Sequence, residues 1–435
     1  MNFSYCLDSI RQVPLIAPQG RVAEVVGMLV ESRGPGIPVG SICHLVSKRG
    51  RKRVTAEVVG FREGRILLMP LGVTRGIEPG DVVSLAMDQA LAPAGMGLLG
   101  RVIDGLGQPA DGKGPLDSDQ SMPLYAEPIN PMLRDRIREP VDVGVRAING
   151  LLTLAKGQRI GILSGSGVGK SVLMGMIARH TAADVSVIAL IGERGRELKE
   201  FIERDLGVDG LKRSVVVAAT SDQPPLVRMR GAYLAMAIAE YFRNKGRDVI
   251  FMMDSATRFA MAAREVGLAI GEPPTSRGYT PSVFALLPRF LERAGTRQGP
   301  GSITGIFTVL VEGDDMNEPI ADAVRSIVDG HIVLSRELAN NGHYPAIDIL
   351  GSVSRCMTDV VPRPQIESAR QFLEILSIYR RSEDLINIGA YSKGSSTKID
   401  HAIAMIDRLN AYLRQAVDEK MTMAESVRRL AALFH

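Results

Sequence analysis

The sequence predicts a multidomain fold: an N-terminal β-barrel over residues 1–85, a central α/β domain with a mainly parallel sheet and a phosphate-binding loop over 86–360, and a C-terminal α-helical domain over 361–435. Three observations predict it. Short β-rich runs separated by glycine, proline and charged turns occupy the first part of the chain. From about Val141 to Ser354 apolar runs alternate with helical stretches, the pattern of a parallel sheet. After Pro362 and Pro364 helical periodicity takes over. A chain of 435 residues exceeds the size at which one core keeps growing, so several domains are expected.

The N-terminal runs are RVAEVVGMLV, SICHLV, VTAEVVGF, RILLMPLG and DVVSLA, between Gly20 and Leu85. Leu91 to Pro140 is rich in proline and glycine and reads as an irregular crossing segment that wraps the next domain. The central runs are RIGIL, VSVIALIG, SVVVAAT, DVIFMMD, SITGIFTVLV and HIVLS. ESARQFLEILSIYRR and KIDHAIAMIDRLNAYLRQA supply the C-terminal helices, with Met405, Leu409, Leu413, Met421 and Met423 on core-facing sides.

Composition narrows the function classes. The chain is 45% hydrophobic and 23% charged, which fits a soluble globular protein. Its 52 basic and 48 acidic residues leave only +4, which argues against attraction of the whole surface to nucleic acid or anionic lipid. The dense basic run Lys48–Arg53 lies between two expected strands and reads as a solvated hairpin turn; no aromatic residue interleaves it as a single-strand platform requires. Cys6, Cys43 and Cys356 are scattered, which suggests a reducing compartment, and neither they nor His331 and His343 have zinc-ligand spacing. The start MNFSYCLDSIRQVPL does not read as a signal peptide, and no apolar run reaches membrane-spanning length, so a cytoplasmic location is expected.

The chemistry concentrates at Ser164–Ser171, SGSGVGKS, placed between the apolar run Arg159–Leu163 and the helical run Val172–Arg179. Gly165, Gly167 and Gly169, with Ser166 and Val168 between them, let the backbone turn tightly and aim N–H groups at phosphate oxygens. Lys170 is placed to reach the β and γ phosphates and Ser171 to hold Mg²⁺, with Val172 continuing the helix. The pattern G-x-x-x-x-G-K-[ST] has Ser164 at its first position, a small residue that preserves the cradle. Asp254 closes the run DVIFMMD, where an open α/β sheet builds its ligand site, and is placed to bind Mg²⁺ through water. Glu193 opens GERGRE after VSVIALIG; a carboxylate at that strand end can orient and deprotonate water.

SGSGVGKS, GERGRE, MMDSATRFA, GYTPSVFALLPRFLERAG, VEGDDMNEPIADAVRSIVDGHIVLSREL and HYPAIDILGSVSR together resemble the rotary ATPase α/β superfamily, and within it the flagellum-specific and type III secretion export ATPases. The resemblance covers nearly the whole chain. It implies that Lys170 binds the phosphates of ATP, that Ser171 and Asp254 hold Mg²⁺, and that Glu193 activates water. It further implies Arg194 near the γ-phosphate, Arg258 supporting the site, Tyr344 packed against adenine, and Arg355 as the arginine finger that reaches a neighbour's nucleotide. Because Glu193 and Arg355 occur in one chain, the resemblance implies a homohexamer whose identical copies complete each other's sites. The implied partners are a stalk protein, regulatory proteins, export chaperones and their substrates, and peripheral contact with the export gate at the cytoplasmic face of the inner membrane; no nucleic acid is expected. The flagellar branch is the main expectation, and virulence secretion stands close behind. A nucleic-acid motor like the termination helicase Rho and a non-catalytic ring subunit are the readings from other classes.

Overall fold

The computed structural model describes residues 18–48, 52–311, 313 and 315–434. Cys6 and the N-terminal run, the middle of the basic stretch at 49–51, Glu312, Asp314 and His435 lie outside the described residues. Strands β1 (Gln19–Val26), β2 (Leu29–Arg33), β3 (Ile42–Val46), β4 (Arg53–Arg62), β5 (Arg65–Pro70) and β6 (Val82–Met87) close an antiparallel barrel in the order β1-β2-β5-β4-β3-β6. Five apolar runs give six strands because RVAEVVGMLV folds back on itself, pairing Val26 with Leu29 across a two-residue turn. Gly27 takes the turn position at φ +58, which a side chain would strain.

The proline- and glycine-rich segment is more regular than its composition suggests. β7 (Leu91–Ala94) and β9 (Gln120–Pro123) form an antiparallel ribbon, and β8 (Arg101–Asp104) joins the central sheet as an edge strand. Strands of four residues are too short to leave a readable alternation among so many turn formers.

In the central region, β10 (Pro140–Val141) and β11 (Leu154–Ala155) pair around α1 (Arg146–Leu151). Then follow β12 (Arg159–Ser164), α2 (Lys170–His180), β13 (Val185–Ile191), α3 (Gly195–Glu200), a π-helical turn at Phe201–Leu206, α4 (Gly207–Lys212), β14 (Ser214–Ala219), α5 (Pro225–Asn244), β15 (Asp248–Asp254) and α6 (Ala256–Ala269). The region closes with α7 (Pro281–Leu291), β16 (Gly295–Thr296), β17 (Ser302–Leu310), α8 (Pro319–Ile327), β18 (Gly330–Leu334), α9 (Arg336–Asn340) and β19 (Ile347–Ser354). The sheet order is β19-β18-β12-β17-β15-β13-β14-β8, with β16 attached to β17; β16 and β19 alone run antiparallel to their neighbours.

Strands buried on both faces explain why the central runs are continuously apolar. Val187, Ala189, Phe251 and Met253 face α5 to α8, whereas Ile188, Leu190, Ile250 and Met252 face α1, α2 and the C-terminal helices. Those helices are α10 (Met357–Val360), α11 (Arg363–Asn387), α12 (Thr397–Leu413) and α13 (Met423–Ala431). Met405, Leu409, Leu413 and Met421 are buried there as expected, and Met423 is half-buried.

Two contacts seat the flanking regions on the sheet. Leu29, Met69 and Leu71 of the barrel pack on Leu226 and Val227 of α5. Beside them Glu57 is ion-paired with Arg230 and accepts a hydrogen bond from the Tyr125 hydroxyl at 2.7 Å, so neither buried charge is left uncompensated. At the other flank Arg146 of α1 donates to the Tyr412 carbonyl at 2.6 Å and the Ala411 carbonyl at 3.3 Å, a cation set against the unsatisfied carboxyl end of α12.

Candidate active site at the carboxyl ends of the parallel strands

β12 delivers the chain to the cradle and α2 takes it away. Gly169 precedes the helix at φ +92 and Gly167 lies at φ +79, so the loop turns without side chains and leaves the first N–H groups of α2 open. A side chain on Gly167 would meet nothing within 4 Å; one on Gly169 would meet the Tyr344 ring at 3.6 Å. Val168 is buried in the core and pins the loop, while Ser166 and Gly167 are exposed and Gly165 is buried. Gly175, inside α2, is required by packing: a Cβ there would stand 2.6 Å from the carbonyl oxygen of Asp205 in the π-helical turn. Ser164 is 1% exposed and its hydroxyl has no hydrogen-bond partner among the described residues, an unsatisfied group at the base of the cradle.

Four charged side chains converge beyond the loop. Lys170 is ion-paired with Asp254 and its Nζ lies 3.8 Å from Glu193 Oε1. Arg258 Nε is 3.3 Å from the same Glu193 oxygen, and the Arg258 guanidinium also donates to the Gly192 carbonyl. Asp254 is 3% exposed and accepts a hydrogen bond from Thr308 Oγ1 at 2.8 Å. Adjacent parallel strands produce this convergence: β15 ends at Asp254, β13 ends just before Glu193, and β17 carries Thr308 beside them. Ser171, Glu193, Glu197 and Asp254 line one small hollow.

Glu193 is 8% exposed, and its carboxyl is pushed up to about 7. Burial is the largest cause; the Asp254 charge and the hydrogen bond to Glu197 add to it, and Lys170 and Arg258 pull the other way. Glu197 is correspondingly held below the usual carboxylate range by its hydrogen bond to Glu193. A carboxyl near neutrality, facing a hollow and flanked by two cations, is equipped to take a proton from water. The open helix N-terminus, the lysine, the Ser171 hydroxyl and Asp254 carboxylate that line one hollow, and the unsatisfied Ser164 hydroxyl fit a nucleotide phosphate with Mg²⁺.

The remaining expected residues divide. Tyr344 stands beside the cradle, half its ring exposed, with its carbonyl accepting from Gln415 N at 3.0 Å. Arg194 is exposed and lies 3.6 Å from Glu197, outside the four-charge cluster. Arg355 is at the far end of the sheet: its N–H donates to Asp329 at 3.0 Å and its guanidinium to Val328 at 3.2 Å, next to the first residue of β12. The length of a six-residue strand, about 20 Å, separates it from its own cradle, so it does not reach phosphates bound there. Sequence reasoning missed Thr308 and Glu197. A threonine near the end of a continuously apolar strand, and a glutamate four residues after Glu193, were the available signals.

Residues 22–85 match the beta-barrel domain of the ATP synthase alpha/beta family, 144–354 its nucleotide-binding domain, and 361–432 the T3SS EscN ATPase C-terminal domain. The flagellum-specific ATP synthase of Bacillus subtilis (strain 168) is 54% identical over 440 residues, covering 100% of this chain and 99% of that protein. The assembled ATPase EscN of the enteropathogenic E. coli type III secretion system superposes with a TM-score of 0.90 at 43% identity, over 95% of this chain and 99% of EscN. EscN in complex with its central stalk EscO gives 0.88 at 42% identity, with the same coverage. Sequence, fold and the charged cluster converge, and the chain belongs to the ATP synthase alpha/beta family, in its branch of flagellum-specific ATP synthases and type III secretion ATPases.

Proposed function

We propose that this chain is a Mg²⁺-dependent ATPase that works as a homohexameric ring and energises flagellar protein export. The observation that carries the reading is the cluster at the cradle, where Glu193, with its carboxyl raised to about 7, stands between Lys170 and Arg258. Glu193 orients the attacking water and takes its proton, Lys170 meets the negative charge on the phosphates, and Arg258 holds Glu193 in place while adding positive charge. Arg194, on the rim, comes to the γ-phosphate only by moving away from Glu197. Ser171 and Asp254 are the residues that would hold Mg²⁺, which supplies charge neutralisation at the phosphate oxygens when bound. Tyr344 stacks on the base. Arg355, too far from its own cradle, serves the site of the adjacent copy.

EscN is assembled and bound to a central stalk in its solved structures, which supports a ring and a stalk partner for this chain. Among the described residues no helix is long and apolar enough to cross a membrane. We place the ring in the cytoplasm, at the inner face of the membrane, with regulatory proteins, export chaperones and substrates as further partners. The flagellar assignment is supported by 54% identity to the B. subtilis protein against 50% to the type 3 secretion system ATPase of Xanthomonas euvesicatoria; that small gap, with the likeness to EscN over nearly the whole chain, keeps virulence secretion as the second reading.

The test is complementation. In a strain lacking this protein, the native chain should restore flagellin release and Glu193→Gln should not, while the purified variant keeps ATP binding and loses about a hundredfold or more of turnover. Near-normal hydrolysis by Glu193→Gln would remove the residue from the role; normal flagellin release in the deletion would move the chain to another secretion machine.

A further inference from the structure

A second cavity, of about 470 Å³, opens on the other side of Gly192 from the small hollow of the cradle. The two share no lining residue: Gly192 belongs to this cavity and Glu193 to the hollow, so consecutive residues form the wall between them. Among the described residues its lining includes Arg228, Arg258, Arg264 and Arg277 against one carboxylate, that of Glu318. Glu318 is already engaged, since its side chain accepts from Ala321 N at 3.0 Å and caps α8. Arg228 is offset by Glu265 at 2.6 Å and Arg277 by Asp315 at 2.8 Å. Arg264 has no carboxylate partner among the described residues; its guanidinium lies over the Tyr279 ring, 5.2 Å from the centroid, which fixes the fork without neutralising it. Arg258 links the two spaces, lining this cavity while its Nε faces Glu193, which lines the hollow.

A concave space walled by guanidinium groups concentrates positive potential and suits a tetrahedral oxyanion, which arginine forks bind through charge-assisted pairs. Lys170, Ser171 and Asp254 do not line it, so it is separate from the place where nucleotide phosphates are expected. We infer that this cavity is a holding site for a phosphate dianion, and that it takes the inorganic phosphate which hydrolysis leaves beside Arg258. The inference rests on the ATPase reading. Phosphate arriving from solution has the same chemistry, and the experiment separates the two sources.

Equilibrium dialysis of the full chain against radiolabelled inorganic phosphate, without nucleotide, tests the cavity directly. Native protein and Lys170→Ala should bind alike, and Arg264→Gln should weaken binding about tenfold, the loss of one charged hydrogen-bonding group. Arg277→Gln, which removes only an exposed ion pair of the fold, should weaken it in the same direction. Binding that survives Arg264→Gln unchanged, or that disappears in Lys170→Ala, would overturn the proposal by assigning the phosphate elsewhere. A single turnover of γ-labelled ATP, with phosphate formation followed by acid quench and its release by a fluorescent phosphate sensor, then identifies the source. Release should lag formation in the native protein, and Arg264→Gln should shorten the lag several-fold with formation unchanged; an equal lag in both would overturn the holding of product. Phosphate binding that depends on Arg264 in a chain that hydrolyses no ATP would overturn the ATPase reading alone. Normal hydrolysis with no Arg264-dependent binding would overturn the cavity alone.

Discussion

At the carboxyl ends of β12, β13 and β15, Lys170, Glu193, Asp254 and Arg258 are drawn together and largely withdrawn from water; at the amino end of β18, Arg355 is exposed and its guanidinium bonds to a single backbone carbonyl. The first end has its charges already paired, and Asp254, Lys170 and Arg258 act together on Glu193. The second offers a charge with no ion-pair partner among the described residues. Their separation by the length of the sheet teaches that the buried cluster is assembled within one copy, and on the proposed reading the full site requires two.

The sharpest way to break this comparison is to remove Arg355. Arg355→Ala should keep ATP binding and lose about 10³-fold or more in the turnover of assembled protein, the range of a finger supplied in trans. Mixing it with Glu193→Gln should restore measurable hydrolysis, because a copy with an intact Glu193 then meets a neighbour with an intact Arg355. A mixture as inactive as its parts would show that both residues act within one chain, which the geometry opposes.

The buried end can be probed by pH. Glu193 has its carboxyl raised to about 7, so the proton is held below that pH and the group cannot accept another from water. The sign follows: kcat/KM should rise about tenfold per pH unit below 7 and level off above it, since this ratio reports the free enzyme. Glu193→Gln should flatten the profile as well as lower it. A native profile that rises instead with a midpoint near 4.5, the ordinary glutamate value, would mean that burial and the Asp254 charge do not govern the base.

Asp329 braces the Arg355 end, tying Arg159, the first residue of β12, to Arg355. Its carboxylate accepts from the Arg159 backbone at 2.9 Å and its guanidinium at 3.2 Å, while its carbonyl accepts from Arg355 N. Asp329→Asn keeps the shape and weakens the ion pair. We expect turnover to fall about tenfold with KM nearly unchanged, since a displaced finger costs orientation and leaves nucleotide binding intact. A rise in KM without loss of kcat would place Asp329 in binding.

What the sequence showed and hid follows the same division. The cradle was legible because Ser164 to Ser171 are contiguous and their chemistry is local. Glu193 and Asp254 were legible because each closes an apolar run whose end is marked in the sequence. β8 and β19 were not read as strands, because a four-residue edge and an antiparallel strand with alternating exposure become strands only by pairing with β14 and β18. That Arg355 lies outside its own cradle depended on the same register, and the arginine cavity on α5 and α6 meeting beside Gly192. Positions set by partners far away in the chain leave no local period to detect.

Thr308 gives the most local of these tests. It lies on β17, its hydroxyl fully buried and donating at 2.8 Å to Asp254 Oδ1, the same oxygen that Lys170 meets. Thr308→Val is nearly isosteric, so packing is conserved while Asp254 loses one donor in a site that admits little water. The loss of one such bond to a charged acceptor, about 1.5 kcal/mol, corresponds to roughly a tenfold effect, which we expect as weaker nucleotide and Mg²⁺ binding rather than slower proton transfer. Titration of Mg²⁺ against hydrolysis at saturating nucleotide reads it directly: the half-saturating Mg²⁺ should rise and the plateau should hold. A lowered plateau with an unchanged midpoint would mean that Thr308 acts through the Lys170–Asp254 pair on the reaction itself, and the buried end would then be tuned from the adjacent strand as well as from within its own cluster.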